Sequence, residues 1–556
     1  MPAEIDAVLE GAQKALEAGE WSIARNSFDV ALEREESGEA LFGLGIALWW
    51  LGETEDSLRC WERAYAAFRR RPDPGQAVVA AVYLCLAYRM SLGNDAASRG
   101  WLGRAASVVE EFDLAPMNGW VLLCRAYVAN DRGHPHEAES WAQEARQSAR
   151  RSADADLELC AAAELGTALV GMGRFEEGLA LLDQAMAGAL AGEGGDLDTV
   201  VLIGCRTITS CSRAADVKRA VQWIRAADDF NRRYGSSHLY TTCRTHYGSI
   251  LLAVGEWERA EHELQAALKM GKRAEPVLQA EALAKLAELR LAQGRLDEAV
   301  RLLAGYEDHP ATAYAAAAIH LACGEPVVAS SLLRRRLREL DEKSLEGAAL
   351  LELVTEAEIA QGAFREAATR AEGLADLGSS VGCDLIVARG ERALGRALLA
   401  TAELSSAIDH LERALAAFGR LEMPLESGRT HFLLARALAE GERETAVAEA
   451  RAALSCFEEL GAARDADTAA AFLRSLGVKA ARSGPKRLGL LTKREREVLA
   501  LLGEGLSNRD IAARLVVSRK TVEHHVASVL RKLELRGRGE ATAWAVRHLE
   551  RTSATK

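Results

Sequence analysis

The residues best suited to chemistry in this 556-residue chain lie in one short stretch near its end. The stretch from Ser507 to Leu533, SNRDIAARLVVSRKTVEHHVASVLRKL, is rich in arginine, lysine, histidine, serine and threonine, whose side chains donate hydrogen bonds. The pair His524 and His525 could suggest a metal. However, adjacent helical residues point about 100° apart, and no second set of cysteines or carboxylates accompanies the pair. The sequence therefore predicts a hydrogen-bonding surface here, with no metal and no cofactor.

Helices must position these side chains, and capping patterns mark where the helices begin. Thr492 with Glu495, and Ser507 with Asp510, each place a hydroxyl three residues before a carboxylate, as in a capping box, and Ser518 can cap a third helix. A fourth helix is expected over about 540–549 from its apolar spacing. The apolar positions at helical spacing are Val498, Leu499, Leu502, Ile511, Ala512, Leu515, Val522, Val526, Val529, Leu533, Ala541, Ala545 and Leu549. A short helix, a turn and a longer basic helix predict a helix-turn-helix, whose second helix enters the major groove of DNA.

Charge divides the chain in two. The formal net charge is -12, but from Ala481 to the end 17 basic residues stand against 8 acidic ones, a net of +9. The part before Ala481 therefore carries 52 basic and 73 acidic residues, a net of -21. Opposite signs predict different partners for the two parts, and the basic part is the one suited to a polyanion.

The acidic part repeats a pattern with a period of about forty residues. Its clearest copy is LGTALVGMGRFEEGLALLDQA, from Leu165 to Ala185. A helix, a turn with glycine and a second helix with alanine at the contact positions predict antiparallel helix pairs that approach closely. The last alanines of successive copies are Ala31, Ala64, Ala105, Ala145, Ala185, Ala227, Ala267, Ala414 and Ala453.

This pattern resembles the tetratricopeptide repeat, in the longer spacing of the helical-repeat regions of large bacterial transcription activators, over about residues 5–475. The resemblance implies a superhelix that binds a protein or a small-molecule effector; a spacer is the alternative. Trp49, Trp50 and Trp61, with the stretches 191–198 and 231–238, are candidates to line a binding site, although an aromatic side chain taken alone more often belongs to the core.

The C-terminal stretch resembles the LuxR-type (NarL- or GerE-like) DNA-binding domain. The resemblance lies in L-T-x-R-E-x-E-V-L at Leu491 to Leu499, G-x-S-N-x-x-I-A-x-x-L at Gly505 to Leu515, S-x-x-T-V-x-x-H at Ser518 to His525, and K-L followed by R-x-E-A ending at Ala541. It spans about 55 residues without a gap. It implies double-stranded DNA as the partner and a bacterial transcription regulator as the function.

Residue roles follow from helix geometry together with this resemblance. Burial of the valines of the third helix turns four side chains outward, and by resemblance these positions face base edges: Lys520, Glu523, His524 and Ala527. Glu523 could accept from cytosine, His524 or Lys520 could donate to guanine, and Ala527 could contact a thymine methyl group. Family members often carry lysine where Glu523 stands, so the DNA site is expected to differ from the common ones.

Other polar residues of the stretch are suited to DNA phosphates, which position a protein without specifying sequence. These are Asn508, Ser518, Arg519, Thr521, Arg531 and Lys532. For Arg494, Arg509, Arg536 and Arg538, contact with the DNA backbone and a solvated surface stay open. A homodimer through the last helix, and a contact with RNA polymerase, are also left open.

Several features of related or competing classes are missing from the sequence. No GxxxxGK[ST] motif occurs, so switching driven by ATP within the chain is not expected, and no catalytic residue set stands out. The ten cysteines are scattered singly and are predicted to be reduced core residues. No apolar run predicts a membrane span and no signal peptide is evident, which favours the cytoplasm.

The sequence thus predicts an all-α protein with three parts: a tetratricopeptide-like repeat region over 1–476, a linker over 477–489 and a LuxR-type helix-turn-helix domain over 490–556. The leading interpretation is a sequence-specific transcriptional regulator that is not an enzyme and whose repeats bind a protein or small-molecule signal. The alternative is a repeat-based adaptor with a vestigial DNA-binding head. Salt separates the two, because binding to DNA phosphates weakens steeply as salt is added.

Overall fold

The computed structural model describes residues 2–70, 73–235, 240–270, 276–340, 347–478, 493–515, 517–533 and 537–549. Within these ranges all regular secondary structure is helical, which confirms the all-α prediction. The chain divides into two compact units, Met1–Asp465 and Ala466–Lys556. This division falls inside a helix, Ala463–Ser475. The boundary at residue 476 therefore stays a prediction, and residues 479–489 of the predicted linker lie outside the described residues.

The first unit is a succession of helices joined by short turns. The described helices are α1 (Pro2–Glu17), α2 (Trp21–Arg34), α3 (Gly38–Trp50), α4 (Thr54–Arg70), α5 (Pro74–Met90), α6 (Asp95–Glu111), α7 (Asn118–Asp131), α8 (Pro135–Ser152), α9 (Ala155–Gly171), α10 (Phe175–Ala191), α11 (Leu197–Ala214), α12 (Val217–Tyr234), α13 (Tyr240–Ala253), α14 (Trp257–Met270), α15 (Pro276–Ala292), α16 (Leu296–Leu303), α17 (Ala313–Ala322), α18 (Pro326–Leu337), α19 (Ala348–Ala360), α20 (Phe364–Ser380), α21 (Asp384–Ala400), α22 (Leu404–Arg420), α23 (Pro424–Leu438), α24 (Arg443–Leu460) and α25 (Ala463–Ser475). Consecutive helices pack on each other along this unit, as expected for tetratricopeptide-like helix pairs.

Small residues bring the two helices of a pair together. In the pair of α9 and α10, a Cβ atom added to Gly166 would lie 2.7 Å from the carbonyl oxygen of Gly178, and one added to Gly178 would lie 2.6 Å from that of Gly166. Both distances are shorter than a side chain tolerates, so only glycine fits on either side of this crossing. In the pair of α3 and α4, the Ser57 hydroxyl donates to the Gly45 carbonyl oxygen over 2.7 Å, which fixes that crossing in the same place.

Glycine also makes the turns within the pairs. Gly173, between α9 and α10, has a φ of 83°, in the left-handed region where only glycine is free of strain. The amide of Arg174 then donates to the Leu169 carbonyl oxygen over 2.9 Å, which satisfies a carbonyl group at the end of α9. Gly19, Gly52, Gly255 and Gly294 take the same conformation, so the turn glycines of these repeats are confirmed.

The first unit also contacts itself between helices that are far apart in the chain. The indole Nε1 of Trp21 donates to the Tyr234 carbonyl oxygen over 2.6 Å, across 213 residues. The Tyr83 hydroxyl donates to Asp196 over 2.9 Å, and Gly173 lies against the side chain of Val381. The contacts of Trp21 with Tyr234 and of Gly173 with Val381 thus bring the array back on itself after a little over five repeats of about forty residues, whereas the bond from Tyr83 to Asp196 spans 113 residues, or a little under three repeats.

The tryptophans proposed as binding-site candidates belong to the core. Trp49, Trp50 and Trp61 are 4%, 5% and 0% exposed, and Trp50 stacks on Trp21 with ring centroids 4.4 Å apart. The core alternative is therefore the right one for these three side chains. Residues 236–238 of the second candidate stretch lie outside the described residues.

Polar side chains are also buried between the first helices of successive pairs. Arg206 on α11 donates to Glu164 on α9 over 2.7 Å, where the two side chains are 9% and 0% exposed. Asn130 on α7 donates to the same carboxylate over 2.7 Å. Burial alone lowers the pKa of Arg206, but the charge of Glu164 outweighs it and the pKa is raised. Arg206 is therefore held as a charged group in the interior of the array by its bond to Glu164.

The second unit holds, after the end of α25, a group of four helices. They are α26 (Lys493–Gly503), α27 (Asn508–Leu515), α28 (Arg519–Leu533) and α29 (Arg538–Leu549). The short helix α27 is followed by a turn and the longer helix α28, as the sequence predicts for a helix-turn-helix.

Candidate nucleic-acid interface

A small apolar core holds α26 to α29 together. It contains the predicted inward positions whose side chains the structure describes, with Val522 and Val529 of α28 fully buried, Val526 8% exposed and Leu515 half-buried at its edge. The side chains of Leu533 and Leu549 lie outside the described residues. The other buried members are Val498, Leu499, Leu501, Leu502, Ile511, Ala512, Ala541 and Ala545. Since the valines of α28 occupy one side of that helix, the residues between them must point away from the core.

Hydroxyl caps begin the two helices of the helix-turn-helix. The Ser507 hydroxyl accepts from the Asp510 amide over 3.3 Å, and the Asp510 carboxylate accepts from the Ser507 amide over 3.3 Å, which is the predicted capping box. Hydrogen bonds from the side chain and the amide of Ser507 lower the pKa of the Asp510 carboxyl group. Ser518 accepts from the amide of Thr521 over 3.1 Å and so caps α28. The first predicted box involves Thr492, which lies outside the described residues.

Polar contacts that the sequence did not single out fix the angle between the helices. Arg494 on α26 donates to the Leu515 carbonyl oxygen over 2.5 Å at the end of α27. Arg538 on α29 donates to the Asn508 side-chain oxygen over 2.6 Å. The hydroxyl of Ser528 donates to the buried Glu495 carboxylate over 2.7 Å, joining α28 to α26.

Two arginines whose role the sequence left open therefore make contacts within the unit. Arg494 and Arg538 are half-buried and bond to the chain itself, whereas Arg509 is exposed. Arg536 lies outside the described residues. One signal for these contacts was present in the sequence, because Arg494 and Arg538 both belong to the motifs that carry the family resemblance.

The predicted base-contact residues that the structure describes lie on one side of α28. Lys520, Glu523 and Ala527 are exposed, opposite the buried valines, and they follow one another at intervals of three and four residues, which is one face of a helix. The side chain of His524 lies outside the described residues. Glu523 accepts from Arg519 Nε over 2.9 Å within the same helix, so a charge-assisted bond holds the predicted acceptor in the unbound protein.

The predicted phosphate contacts surround the same face. Ser518, Arg519 and Thr521 are exposed at the start of α28, and Asn508 is half-buried at the start of α27. The side-chain oxygen of Asn508 is taken by Arg538, which leaves its amide nitrogen free of that bond. The side chains of Arg531 and Lys532 lie outside the described residues. The structure thus places Ser518, Arg519 and Thr521 side by side at the start of α28, and it places Asn508 at the start of α27.

A metal site and a membrane-spanning helix are both absent from the described part of the chain. No group of three or more histidine, cysteine or acidic side chains suited to a metal ion occurs there. Each of the ten cysteines is a free thiol, and most are buried, although Cys323 is exposed and Cys205 and Cys456 are half-buried. None of the helices in the described ranges combines the length and apolar character needed to cross a membrane.

The family comparison falls on the second unit. Residues 489–545 match the model described as bacterial regulatory proteins, luxR family. This range contains α26, α27 and α28 with their caps and core. The predicted resemblance of the C-terminal stretch is therefore confirmed, and the unit carries a LuxR-family helix-turn-helix domain.

Sequence relatives match the same part of the chain. The transcriptional regulatory protein LnrK of Bacillus subtilis (strain 168) is 45% identical over 64 residues, which is 12% of this chain and 29% of that protein. The nitrate/nitrite response regulator protein NarL of Escherichia coli (strain K12) is 46% identical over 61 residues, 11% of this chain and 27% of that protein. The chain thus spans less than a third of the length of these relatives.

Solved structures of low similarity match the helical array more widely. The APC/C hetero-tetramer Cut9-Hcn1 has a TM-score of 0.39 and 12% identity, covering 84% of this chain and 96% of that one. A Rap protein complexed with competence and sporulation factor has a TM-score of 0.34 and 13% identity, covering 58% of this chain and 98% of that one. At these scores the likeness supports no statement about what the array binds.

Proposed function

We propose that this chain is a sequence-specific DNA-binding transcriptional regulator, because its second unit carries a LuxR-family helix-turn-helix domain. In this proposal α28 enters the major groove, and its outward residues Lys520, Glu523, His524 and Ala527 contact base edges. Asn508, Ser518, Arg519, Thr521, Arg531 and Lys532 contact phosphates and set the position of the helix on the duplex.

One observation carries the proposal. The valines of α28 are buried in the core of the unit, while Lys520, Glu523 and Ala527 are exposed on its other side. A helix held in this way presents a polar and basic surface on a rigid element, which is what readout of a groove requires. The positive charge of the region supports attraction to a duplex.

Glu523 provides the sharpest test, because its role is to select sequence. Full-length protein and its Glu523→Ala variant would each be used to select binding sites from random duplexes. We expect the variant to prefer a different base at one position of the site, with a change of about 1–3 kcal/mol in discrimination there. Thr521→Ala is the matched control on the same helix, and it should weaken binding to all duplexes similarly without changing the preferred site.

Two results would contradict the proposal. If Glu523→Ala selects the same site with the same discrimination as the unchanged protein, the assignment of α28 residues to base edges is wrong. If the full-length protein binds no duplex even at low ionic strength, the adaptor with a vestigial head becomes the better interpretation.

The repeat array is proposed to bind the signal that controls the helix-turn-helix domain, α26 to α29, which we call the head. Support comes from the architecture, since stacked helix pairs of this kind form extended surfaces on which other repeat proteins bind their partners. The signal is a protein or a small molecule. Once bound, it would change how the head binds DNA, how the head contacts RNA polymerase, or whether two heads pair through α29. Comparing duplex affinity of the full-length protein with and without a candidate signal tests this part.

A further inference from the structure

The first helices of five successive pairs, α5, α7, α9, α11 and α13, each carry at least one cysteine. The first helices of successive pairs also pack on each other, so thiols on neighbouring helices can meet. Which of them meet depends on the rotation from one pair to the next. The cysteines on these helices are Cys85, Cys124, Cys160, Cys205, Cys211 and Cys243.

Cys205 on α11 and Cys243 on α13 meet directly. The Cys243 thiol donates to the Cys205 sulfur over 3.0 Å, although the two residues are 38 positions apart in the chain. The thiol of Cys160, by contrast, donates to the Thr199 hydroxyl over 3.8 Å. The sulfur–sulfur bond of a disulfide is about 2 Å long, so the sulfurs of Cys205 and Cys243 have only about 1 Å to travel before they can bond.

The two thiols of this pair differ in access and in protonation. Cys243 is 2% exposed, whereas Cys205 is half-buried. The hydrogen bond to Cys205 and burial both raise the pKa of Cys243 well above its usual value, so Cys243 keeps its proton at neutral pH. Cys205 is therefore the sulfur that an oxidant from solution reaches first, and Cys243 is the thiol next to it.

The pair lies where the array returns on itself. Cys205 packs against the apolar cluster that contains Trp21 and Trp50, and it also packs against the cluster that contains Cys243. The segment between the two cysteines includes α12, whose last residue, Tyr234, accepts the bond from Trp21. A covalent link between α11 and α13 would therefore close a loop around the helix that the N-terminal pair contacts.

We propose that Cys205 and Cys243 form a reversible disulfide bond that makes the array sensitive to hydrogen peroxide. The Cys205 sulfur attacks one oxygen of the peroxide and becomes a sulfenic acid, while the oxygen–oxygen bond breaks and the other oxygen leaves with the Cys205 proton as water. The Cys243 sulfur then attacks the Cys205 sulfur, and the hydroxyl group of the sulfenic acid leaves with the Cys243 proton as a second water. The two thiols thus give two electrons and two protons to the peroxide.

The proposal goes beyond the proposed function, because the reaction takes place in the first unit and involves no DNA. The chain also contains its own comparison. Cys85 and Cys124 share one apolar cluster, but both are fully buried, so peroxide in solution should not reach them. Cys323 is exposed and shows whether the oxidant has acted on an accessible thiol.

Peptide mass spectrometry of the folded full-length protein tests the bond. The protein would be treated with hydrogen peroxide at neutral pH, its remaining thiols would be blocked, and its peptides would be analysed. We expect a disulfide of Cys205 with Cys243 at least tenfold more abundant than one of Cys85 with Cys124, and dithiothreitol should remove it. Equal yields in the two pairs, or no bond from Cys205 to Cys243 once Cys323 is oxidised, would overturn the proposal.

Two variants test the order of the steps. Cys243→Ser leaves Cys205 without a thiol partner, so its sulfenic acid should persist and react with dimedone. In Cys205→Ser the other thiol stays buried, and we expect at least tenfold less labelling of Cys243. Circular dichroism of both reduced variants checks that their helices are intact. Equal labelling in the two variants would contradict the assigned roles.

Thermal unfolding tests whether the bond acts on the array. A disulfide that closes a loop of this length restricts the unfolded chain, so the oxidised protein should melt roughly 2 °C or more above the reduced protein. Dithiothreitol should reverse the rise, and Cys243→Ser treated with the same peroxide should show none. A bond that forms without raising the melting temperature would refute its role as a switch.

Discussion

Arginine has opposite uses in the two units of this protein. In the array, Arg206 and Arg392 are almost completely buried and each is paired with carboxylates on neighbouring helices. In the head, Arg519 is exposed, with 73% of its side chain accessible, and among the described residues it forms an ion pair with Glu523 of the same helix. A buried arginine has exchanged water for fixed partners, whereas an exposed one can still exchange water for a ligand. Loss of an arginine should therefore lower stability in the array and affinity in the head.

The largest effect should come from salt acting on the head. If about six phosphates are contacted, affinity for a duplex should fall about 10³-fold between 50 and 200 mM salt. Fluorescence anisotropy of a labelled duplex with the full-length protein measures this. The melting temperature of the array should change little over the same range, because buried pairs are poorly screened. An affinity that does not depend on salt would remove the distinction between the two units.

Breaking a buried pair should have the next largest effect. Arg206→Met leaves Glu164 charged and buried, at a cost of about 3–5 kcal/mol in the free energy of unfolding. Denaturant unfolding measures the loss, and duplex affinity of the folded variant should be unchanged. The control is Arg63→Met, since Arg63 pairs with Glu36 on the surface at 2.7 Å and such pairs contribute little. Equal losses in the two variants would mean that burial does not set the role of arginine.

Packing of the helix pairs should respond more weakly. Gly166→Ala places a methyl group against the Gly178 carbonyl oxygen, and we expect a loss of about 1–3 kcal/mol in stability. Gly373→Ala is the matched control, because a Cβ atom there meets nothing within 4 Å, and it should stabilise α20 by up to about 1 kcal/mol. Thermal unfolding of both variants gives the comparison. A Gly166→Ala variant as stable as Gly373→Ala would contradict the close crossing of α9 and α10.

The smallest effect should separate stability from affinity within the head. Ser518→Ala removes the cap of α28 and should lower the stability of that helix by about 1 kcal/mol. Ser518→Asp keeps an acceptor for the Thr521 amide, so it should restore stability, but its charge should repel phosphates. The stability of the head is measured from its unfolding, followed by its near-ultraviolet signal. Its affinity for DNA is measured by titration with a duplex. Full recovery of affinity in Ser518→Asp would show that residue 518 lies away from the DNA.

Periodic features of the fold could be predicted from the sequence. The turn glycines, the alanines at the helix crossings and the inward valines of α28 each recur at a fixed interval, and their physical role depends only on neighbours in the chain. The helix pairs and the core of the head follow from them. The cap of Ser507 with Asp510 was predictable for the same reason, since both partners lie within three residues.

Contacts across long stretches of chain could not be predicted. Nothing local marks Trp21 as a partner of Tyr234, or Glu164 as a partner of Arg206, because small rotations between successive pairs decide which residues meet. The same limit explains why Trp49, Trp50 and Trp61 stayed open between core and binding site. In the head, Arg494 could be placed on a helix and Arg538 just before the predicted start of the fourth helix, but the group that each arginine reaches depends on the angles between the helices.

The bond from Trp21 to Tyr234 changes how this array should come apart. In a linear stack of repeats each unit is stabilised by its two neighbours, so unfolding can start at an end and progress one pair at a time. Here the first helix pair, α1 and α2, also contacts the sixth pair, α11 and α12, through the bond from Trp21 to Tyr234. Unfolding of the N-terminal pair therefore removes a stabilising contact from the middle of the array. The array should therefore unfold in a few large cooperative units, and a destabilising substitution in the first pair should also lower the stability of the pairs near the middle.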